Sequence, residues 1–393
     1  MIPRVRVNYE IVDLLKSTRY IFERKNREKD KLLSTLRNIF SNQNVLLTPS
    51  GRGGLYFLLK AMNKSKVIIP SYTCSAVTEA ALLAGKRVFY VDVYLDTLDM
   101  NLEQLSKIID RDSVVIATYQ YGFPCNILDI LELCKNNHAY CIEDVAAGLF
   151  GKINNQYMGT FSDASFFSFD SSKLLNVPLK GGFVVVRDEE LFNRFKDVYF
   201  SEVKRMPINL SVKNILKGIV YNLIKPRAMY NIFYFLFFTI KKRVSTEKEK
   251  VNKEKNEYYM YDMSDWQCYL INNQIKNLSL IIKKKKKNFQ TFQTYLSESK
   301  SFDIFKVSCE EIVPVRFPIL VKNIDKMTFY KLLIERRIDC SFSFTNIICN
   351  PESKNAIEVA SRILNLPYYY KLSGLECKKI IHALKNIDEF LSK

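Results

Sequence analysis

Three stretches of the chain hold residues whose types and spacing could do chemistry. FFSFDSSKLLNVPLKGG (Phe166–Gly182) ends a strand-like run at Phe169 and sets Lys173 in a serine-rich turn before two glycines. A lysine there can attack a carbonyl and form a Schiff base, provided that burial or nearby cations lower its pKa. AYCIEDV (Ala139–Val145) closes on Glu143 and Asp144. A carboxylate at the end of a strand can project into a cleft, or simply cap a helix. TPSGRGGL (Thr48–Leu55) precedes a helical run, Tyr56–Met62. A small-residue turn at a helix N-terminus exposes backbone N–H groups and the positive end of the helix dipole, a combination that binds phosphate. Ser50, Gly51 and Arg52 form its tip, and Arg52 could add charge. Taken singly, each piece reads as well as a connector, a cap or a surface lysine.

Their order along one sheet gives them joint meaning. A phosphate cradle, a carboxylate that keeps a pyridine nitrogen protonated, and a lysine that forms an aldimine are the parts that pyridoxal 5'-phosphate requires. The protonated ring would then act as electron sink for a carbanion at a substrate Cα.

The elements that must position these residues follow from hydrophobic pattern. Short apolar runs at Lys66–Pro70, Arg87–Val93, Ser113–Gln120, Ala139–Val145, Ala164–Phe169 and Gly182–Val186 alternate with helical stretches such as Ser75–Ala84 and Ile127–Asn136. Strands rich in Val, Ile and Phe and separated by helices predict an α/β fold with a mostly parallel sheet flanked by helices. Ligand sites in such sheets lie outside the carboxyl ends of the strands. The chain divides into an N-terminal arm and helix (1–45), a large domain (46–198), an aromatic and basic insert (199–256) and a smaller C-terminal α/β domain (257–393). The last is predicted to hold a strand at Val313–Val321 and helices at Lys326–Arg336 and Gly374–Leu391.

At this point the sequence resembles the DegT–DnrJ–StrS family of nucleotide-sugar aminotransferases, which have the aspartate-aminotransferase-like fold (fold type I). The family's Ser-Gly-Thr phosphate turn is similar to Ser50-Gly51-Arg52, and its Pro-x-x-Thr-aromatic segment to PSYTC (Pro70–Cys74). GKRVFYVDV (Gly85–Val93), YQYGFP (Tyr119–Pro124), IEDVA (Ile142–Ala146), FSFDSSK (Phe167–Lys173) with Gly181 and Gly182, and LPYYYKL (Leu366–Leu372) resemble further family blocks. The likeness spans roughly residues 45–190 and 258–393. It implies a pyridoxal-phosphate-dependent transaminase in which Lys173 forms the aldimine and shuttles the proton. Asp144 would pair with the pyridinium nitrogen, while Ser168 and the turn at Ser50, Gly51 and Arg52 would hold the phosphate. Cys74 stands where the family has a ring-stacking aromatic residue, with Tyr72 as the substitute. Tyr121 and Asp262 fall on the substrate side. The resemblance also implies a homodimer, a nucleotide-sugar substrate and an amino-acid donor, glutamate, in surface polysaccharide synthesis. The chain departs from the pattern at Ala147, which replaces a Gln or His. It departs again at YMYD (Tyr259–Asp262), which replaces Tyr-Asn-Tyr-Arg and puts Met260 for the phosphate-binding Asn. These departures motivate the alternative of a diverged, non-catalytic protein that binds a ligand or partner. A dehydratase of the same fold carries histidine in place of the lysine, so Lys173 speaks against it.

Composition narrows the field. Of 393 residues, 48% are hydrophobic, enough for a sizeable core. Only two histidines, His138 and His382, are present, which argues against a Ser-His-Asp mechanism and against a structural zinc site. Nine cysteines, none in a C-x-x-C pair, read as reduced thiols of a cytoplasmic protein. The start MIPRVRVNYEIV has no secretory pattern. The net charge of +18 favours anionic partners. No nucleic-acid-binding signature accompanies it, so none is expected to bind. The run Ala228–Ile240, flanked by Lys225, Arg227 and Lys241–Arg243, is too short to span a bilayer. It suggests either peripheral membrane contact through 228–243 or a buried helix that packs on the dimer partner or covers the active site.

Overall fold

The computed structural model describes residues 1–391 apart from 24, 225, 227, 228, 233, 236–255, 309 and 343–351. Nine strands precede residue 190: β1 (Val45–Thr48), β2 (Lys66–Pro70), β3 (Arg87–Val91), β4 (Ser113–Thr118), β5 (Tyr140–Asp144), the hairpin β6 (Lys152–Ile153) and β7 (Gln156–Tyr157), β8 (Ala164–Ser168) and β9 (Gly182–Val186). Seven of them form one sheet in the order β1-β9-β8-β5-β4-β2-β3. The pairs from β8 to β3 are parallel, and β9 alone runs against both of its neighbours. The mostly parallel sheet read from the sequence is therefore what the chain forms. β2, β9 and most of β4 and β8 are buried, as a sheet covered on both faces requires. At the edge, β3 alternates exposed and half-buried residues.

Helices follow the strands: α1 (Ile11–Ser17), α2 (Arg27–Phe40), α3 (Gly51–Ala61), α4 (Ser75–Leu83), α5 (Leu102–Ile108), α6 (Ile127–Asn136), α7 (Glu189–Glu202), α8 (Ile208–Leu223), α9 (Glu257–Met260), α10 (Asp265–Lys276), α11 (Leu278–Leu296), α12 (Lys326–Glu335), α13 (Lys354–Arg362) and α14 (Gly374–Leu391). The C-terminal stretch adds an antiparallel sheet of β10 (Phe302–Ile304), β11 (Phe317–Val321) and β12 (Ile363–Leu366). The main apolar cluster runs from Leu36 and Phe183 of the first region to Phe289, Phe317 and Leu384 of the last, so both sheets share packed surface.

The register sets the site. Thr118 pairs with Asp144, Asp144 with Phe166, and Gly182 with both Ser168 and Thr48. Because β1, β4, β5 and β8 point the same way, their carboxyl ends gather on one side.

The insert read at 199–256 is described only in part. The stretch from 199 begins as the end of α7 and continues as α8, a helix that the sequence reading left unassigned. Most of the run Ala228–Ile240, with its flanking cations, lies outside the described residues. Of its described part, Tyr230 donates to Asp339 Oδ2 at 2.5 Å, and Asn231 Oδ1 accepts from the N-terminal amine at 2.6 Å. Among the described residues no helix is long and apolar enough to cross a membrane.

Candidate active site

A cavity of ≈ 250 Å³ opens at the carboxyl ends of β1, β4, β5 and β8, and its wall includes Ser50, Gly51, Arg52, Asp144, Ser168 and Lys173. Three separate segments, at the ends of β1, β5 and β8, supply these residues, and the strand register above brings them together.

The helix α3 begins one turn earlier than the sequence suggested, at Gly51, so the glycines lie inside its first turn. Ser50 is its N-cap. The Ser50 hydroxyl accepts from the Gly53 N–H at 3.0 Å and donates to the Tyr258 carbonyl at 2.8 Å. That hydroxyl is committed to the cap. The N–H groups of Gly51 and Arg52, in the first turn, have no intrahelical acceptor and remain to meet an anion. A Cβ at Gly53 would stand 2.7 Å from the Tyr258 carbonyl oxygen, so only glycine permits the approach of α9. The Arg52 side chain does not supply the extra charge expected of it, because its guanidinium is 3.0 Å from Glu79 and lies over the Tyr258 ring. Ser168 Oγ, beside Gly51, accepts from the Asp170 N–H at 3.2 Å.

The two acids that end β5 part company, as successive residues on a strand must. Glu143 turns into the protein and accepts from the Tyr119 hydroxyl (2.7 Å), the N–H groups of Gly159, Phe161 and Ser162, and the Ser162 hydroxyl. Asp144 lines the cavity and accepts from the Ala146 N–H at 3.0 Å. Burial pushes the Asp144 carboxyl up to about 6, against the pull of the Ala146 N–H and the Lys173 charge.

Lys173 follows Asp170 in a turn closed by the Lys173 N–H to the Asp170 carbonyl at 2.9 Å. Its side chain keeps some surface in the cavity while being walled by protein on every other side. Burial lowers its pKa, and Arg316 lowers it further; Asp144 and Asp170 oppose. An amine with that balance is a better nucleophile than a solvated lysine.

Tyr121 also lines the cavity. It sits at φ 56°, and Gly122 at φ 90° completes the turn. Tyr72 does not reach the cavity wall. It is fully buried, and its hydroxyl is 2.5 Å from that of Tyr121. Cys74, the N-cap of α4, and Ala147 do line the wall. Asp262 does not line the cavity: it pairs with Lys29 and accepts from the Tyr199 hydroxyl at 2.7 Å. Met260 ends α9, and its carbonyl accepts from the Lys204 N–H. Among the described residues no cluster of His, Cys, Asp and Glu could hold a metal ion.

Sequence reasoning missed several wall residues. Arg316 enters just ahead of β11 from the C-terminal stretch, and Lys180 forms an ion pair of 3.0 Å with Asp170. Burial acts against Asp170, but Lys180 and Lys173 hold its carboxyl down at about 2. The signal for Arg316 was a lone cation in the apolar run VPVRFPILV.

The residues present fit pyridoxal 5'-phosphate. A helix N-terminus with free N–H groups, a buried carboxylate and a buried amine share one cavity. The hydroxyls of Thr73 and Thr118 are buried on its wall and have no hydrogen-bond partner among the described residues, so a polar ligand would satisfy them.

Comparison with known proteins agrees. The sequence model of the DegT/DnrJ/EryC1/StrS aminotransferase family matches residues 8–385. GDP-perosamine synthase of Escherichia coli O157:H7 is 30% identical over 42% of this chain and 48% of its own length. The match therefore spans about half of that relative. An uncharacterized protein of Methanocaldococcus jannaschii, MJ1066, is 23% identical over 96% of this chain and 94% of its own. Among solved structures, Spr1654 from Streptococcus pneumoniae in its PMP form superposes with a TM-score of 0.76 at 16% identity, covering 99% of each chain. Helicobacter pylori PseC, an aminotransferase of pseudoaminic acid biosynthesis, gives 0.73 at 16% identity over 99% of each. At such identity these structures speak for the fold.

Proposed function

The chain belongs to the DegT/DnrJ/EryC1/StrS aminotransferase family, whose members are pyridoxal-phosphate-dependent transaminases acting on nucleotide sugars. On that premise we propose that it transfers an amino group from an amino acid to a keto-sugar nucleotide for surface polysaccharide synthesis. The observation that carries the reading is the shared cavity of Lys173, Asp144 and the N-terminus of α3.

The cofactor, when bound, supplies an aldehyde and an electron-withdrawing ring. This chain's residues do the rest. The Gly51 and Arg52 N–H groups and Ser168 hold the phosphate at the positive end of α3. Asp144 keeps the ring nitrogen protonated. Its burial makes a carboxylate there costly when alone and strongly attracted to a cation. Lys173 Nζ, the buried amine of the cavity, would hold the cofactor's aldehyde end and, once free, would serve as the base that takes a proton from the donor Cα. Cys74, Ala146 and Ala147 contribute small side chains to the cavity wall, which leaves room beside Lys173 and Asp144. Tyr121 stands on the substrate side.

The deciding experiment is the visible absorbance of the purified protein and of Lys173→Ala, before and after borohydride. A yellow wild-type protein that bleaches, with the reduced label on Lys173, supports the reading. Half-transamination with L-glutamate then completes it. A colourless protein that takes up no cofactor would make the second reading, a fold kept for binding, the better one. Ala147, Met260 and Asp262 are the residues that favour it.

The proposal includes a homodimer in the cytoplasm, which sedimentation and fractionation test. It also includes contact with an anionic membrane surface. From Val203 to Thr246 the chain carries nine Lys and Arg and no Asp or Glu. Helix α8, within that span, is built inside-out. Ser211, Asn214, Gly218 and Asn222 face the protein, while Ile208, Val212, Leu216 and Val220 are 41–56% exposed. A basic, acid-free helix with an outward apolar stripe suits a lipid headgroup layer.

A further inference from the structure

Lys173 lies in a closed loop. The Val177 N–H donates to the Phe169 carbonyl at 3.1 Å and shuts the loop at its base. The first half of the loop holds itself. The Lys173 N–H meets the Asp170 carbonyl, and the Asp170 carboxylate accepts from the Ser172 N–H at 3.2 Å and the Ser172 hydroxyl at 3.1 Å. The second half is held by two asparagines from distant parts of the chain. Asn176, 1% exposed, donates from Nδ2 to the Lys173 carbonyl at 3.1 Å. Asn8 donates from Nδ2 to the Leu174 carbonyl at 2.6 Å. The two are joined, because Asn176 Oδ1 accepts from the Asn8 N–H at 3.0 Å.

Both asparagines are fixed in turn. The Asn176 N–H donates to Gln274 Oε1 at 3.0 Å, and Gln274 Nε2 donates to the Asn176 carbonyl at 2.8 Å. Gln274 is on α10, so Asn176 is locked to a helix. Asn8 belongs to the N-terminal arm, which is pinned to the C-terminal stretch. The Ile2 N–H donates to the Arg337 carbonyl at 2.7 Å, and the Asp339 N–H donates to the Ile2 carbonyl at 3.0 Å. Arg4 forks onto the Asp339 carboxylate at 2.8 and 3.0 Å, and Lys371 Nζ donates to the Asn8 carbonyl at 3.2 Å. The arm thereby reaches the site itself. A second, smaller chamber beyond Lys173 has Arg6 and Asn8 on its wall, together with Lys173, Lys285 and Arg316.

We propose that Asn176, braced by Asn8 and Gln274, is a positioning residue for Lys173. The inference rests on the transaminase reading and deepens it. Asn176 lines neither chamber and acts through the backbone. The two carbonyls that the asparagines hold are those of Lys173 and Leu174, which set the direction of the lysine stem. Once the donor amine takes the place of the lysine, no bond keeps Nζ beside the donor Cα, and the fixed loop must do so. A misplacement of about 1 Å at such a group can cost about 10²-fold in rate.

The test compares the wild type with Asn176→Leu and Asn8→Ala. Asn176→Leu is close in size and keeps the backbone bonds to Gln274. Asn8→Ala removes one side-chain bond at a half-buried position, so it should fold even where the first variant does not. Amide hydrogen exchange of the cofactor-free protein should run about 10-fold faster in residues 169–177 of both variants, the factor of one lost hydrogen bond, and unchanged in β2. Cofactor binding should split. Pyridoxal phosphate attaches to Lys173, whereas pyridoxamine phosphate uses only the cradle and Asp144. Affinity for pyridoxal phosphate should fall about 10-fold in each variant, with that for pyridoxamine phosphate unchanged. Half-transamination with L-glutamate should show a lower kcat at constant KM. Exchange in residues 169–177 equal to that of the wild type overturns the brace. So does an equal loss of affinity for both cofactor forms, which would make Asn176 a general support of the fold. A wild-type protein that attaches no pyridoxal phosphate ends the transaminase reading, and the exchange result then decides the brace alone.

Discussion

Glu143 and Asp144 are neighbours on β5 with opposite surroundings: Glu143 accepts five hydrogen bonds inside the protein, and Asp144 accepts one and faces the cavity. Every lone-pair direction of the Glu143 carboxylate meets a donor. Glu143→Gln would turn an NH2 group, whichever way the amide sits, against at least one backbone N–H that cannot accept. The expected cost is about 3 kcal/mol, that of one or two buried polar groups left unpaired. Denaturant titration measures it, and a midpoint equal to that of the wild type would contradict this role.

Asp144 should behave in the opposite sense in the cofactor-free protein. Its carboxyl titrates at about 6 when folded, against 3.8 for the ordinary group. A raised folded pKa means that the folded form holds the proton more tightly than the unfolded form. Stability from this group is therefore full below about 4 and is lost as pH rises through about 6. Two pKa units correspond to roughly 3 kcal/mol. Apo Asp144→Asn should be the more stable protein near neutral pH by up to that amount, with the gap closing by about pH 4. The same variant should load cofactor poorly. Equal apo stability at both pH values would mean that the carboxylate is not strained by burial.

The Lys173 amine should become nucleophilic at lower pH than a solvated lysine, since burial and Arg316 both favour its neutral form. The rate of cofactor attachment measured against pH should rise with a midpoint below 10.5. Arg316→Gln removes a repelling charge and should move that midpoint up. Asp144→Asn removes an attracting one and should move it down. Shifts of the reverse sign would show that other groups govern the amine.

These sites were legible in the sequence to different degrees, for physical reasons. β2, β9 and α6 were read to the residue, because apolar runs bounded by turn residues leave little choice of pattern. Lys173, Asp144 and Gly51 were legible because short local motifs carry them. β1 and β12 have four residues each, too few to show a period. Arg316 and Lys285 were hidden for another reason. They reach the cavity from parts of the chain more than 100 residues beyond Lys173, and only tertiary packing joins them to it. Lys285 sits in the run Lys283–Lys287, which reads as a solvated face, yet its position on α11 turns it inward.

The turn that aims Tyr121 at the cavity should be intolerant of change at Gly122. Its φ of 90° is one that side-chain-bearing residues avoid, and an added Cβ would lie 2.5 Å from the Ala147 carbonyl oxygen. Gly122→Ala therefore meets both strain and a clash, with an expected loss of about 2–4 kcal/mol. Because Ala147 lines the cavity, cofactor uptake should fall as well. A variant with unchanged stability and uptake would show that the loop can move aside freely.

The outward stripe of α8 gives the last expectation. Ile208, Val212, Leu216 and Val220 recur every four residues and so lie along one side of the helix, with Lys213 and Lys217 beside them. Burying such a stripe in a headgroup layer gains about 25 cal/mol per Å² of apolar area, and each basic residue near an anionic surface adds about 1 kcal/mol. The protein should co-sediment with vesicles containing phosphatidylserine and much less with neutral ones. Added salt should weaken the binding, because the charge part is screened over a Debye length of roughly 10 Å at 0.1 M. Leu216→Glu puts an acid in the stripe at an already exposed position, so folding should survive while vesicle binding is lost. If Leu216→Glu instead shifts the protein to a smaller species in sedimentation and leaves vesicle binding unaltered, the stripe is covered by a second copy of the chain. The membrane contact would then have to be given up.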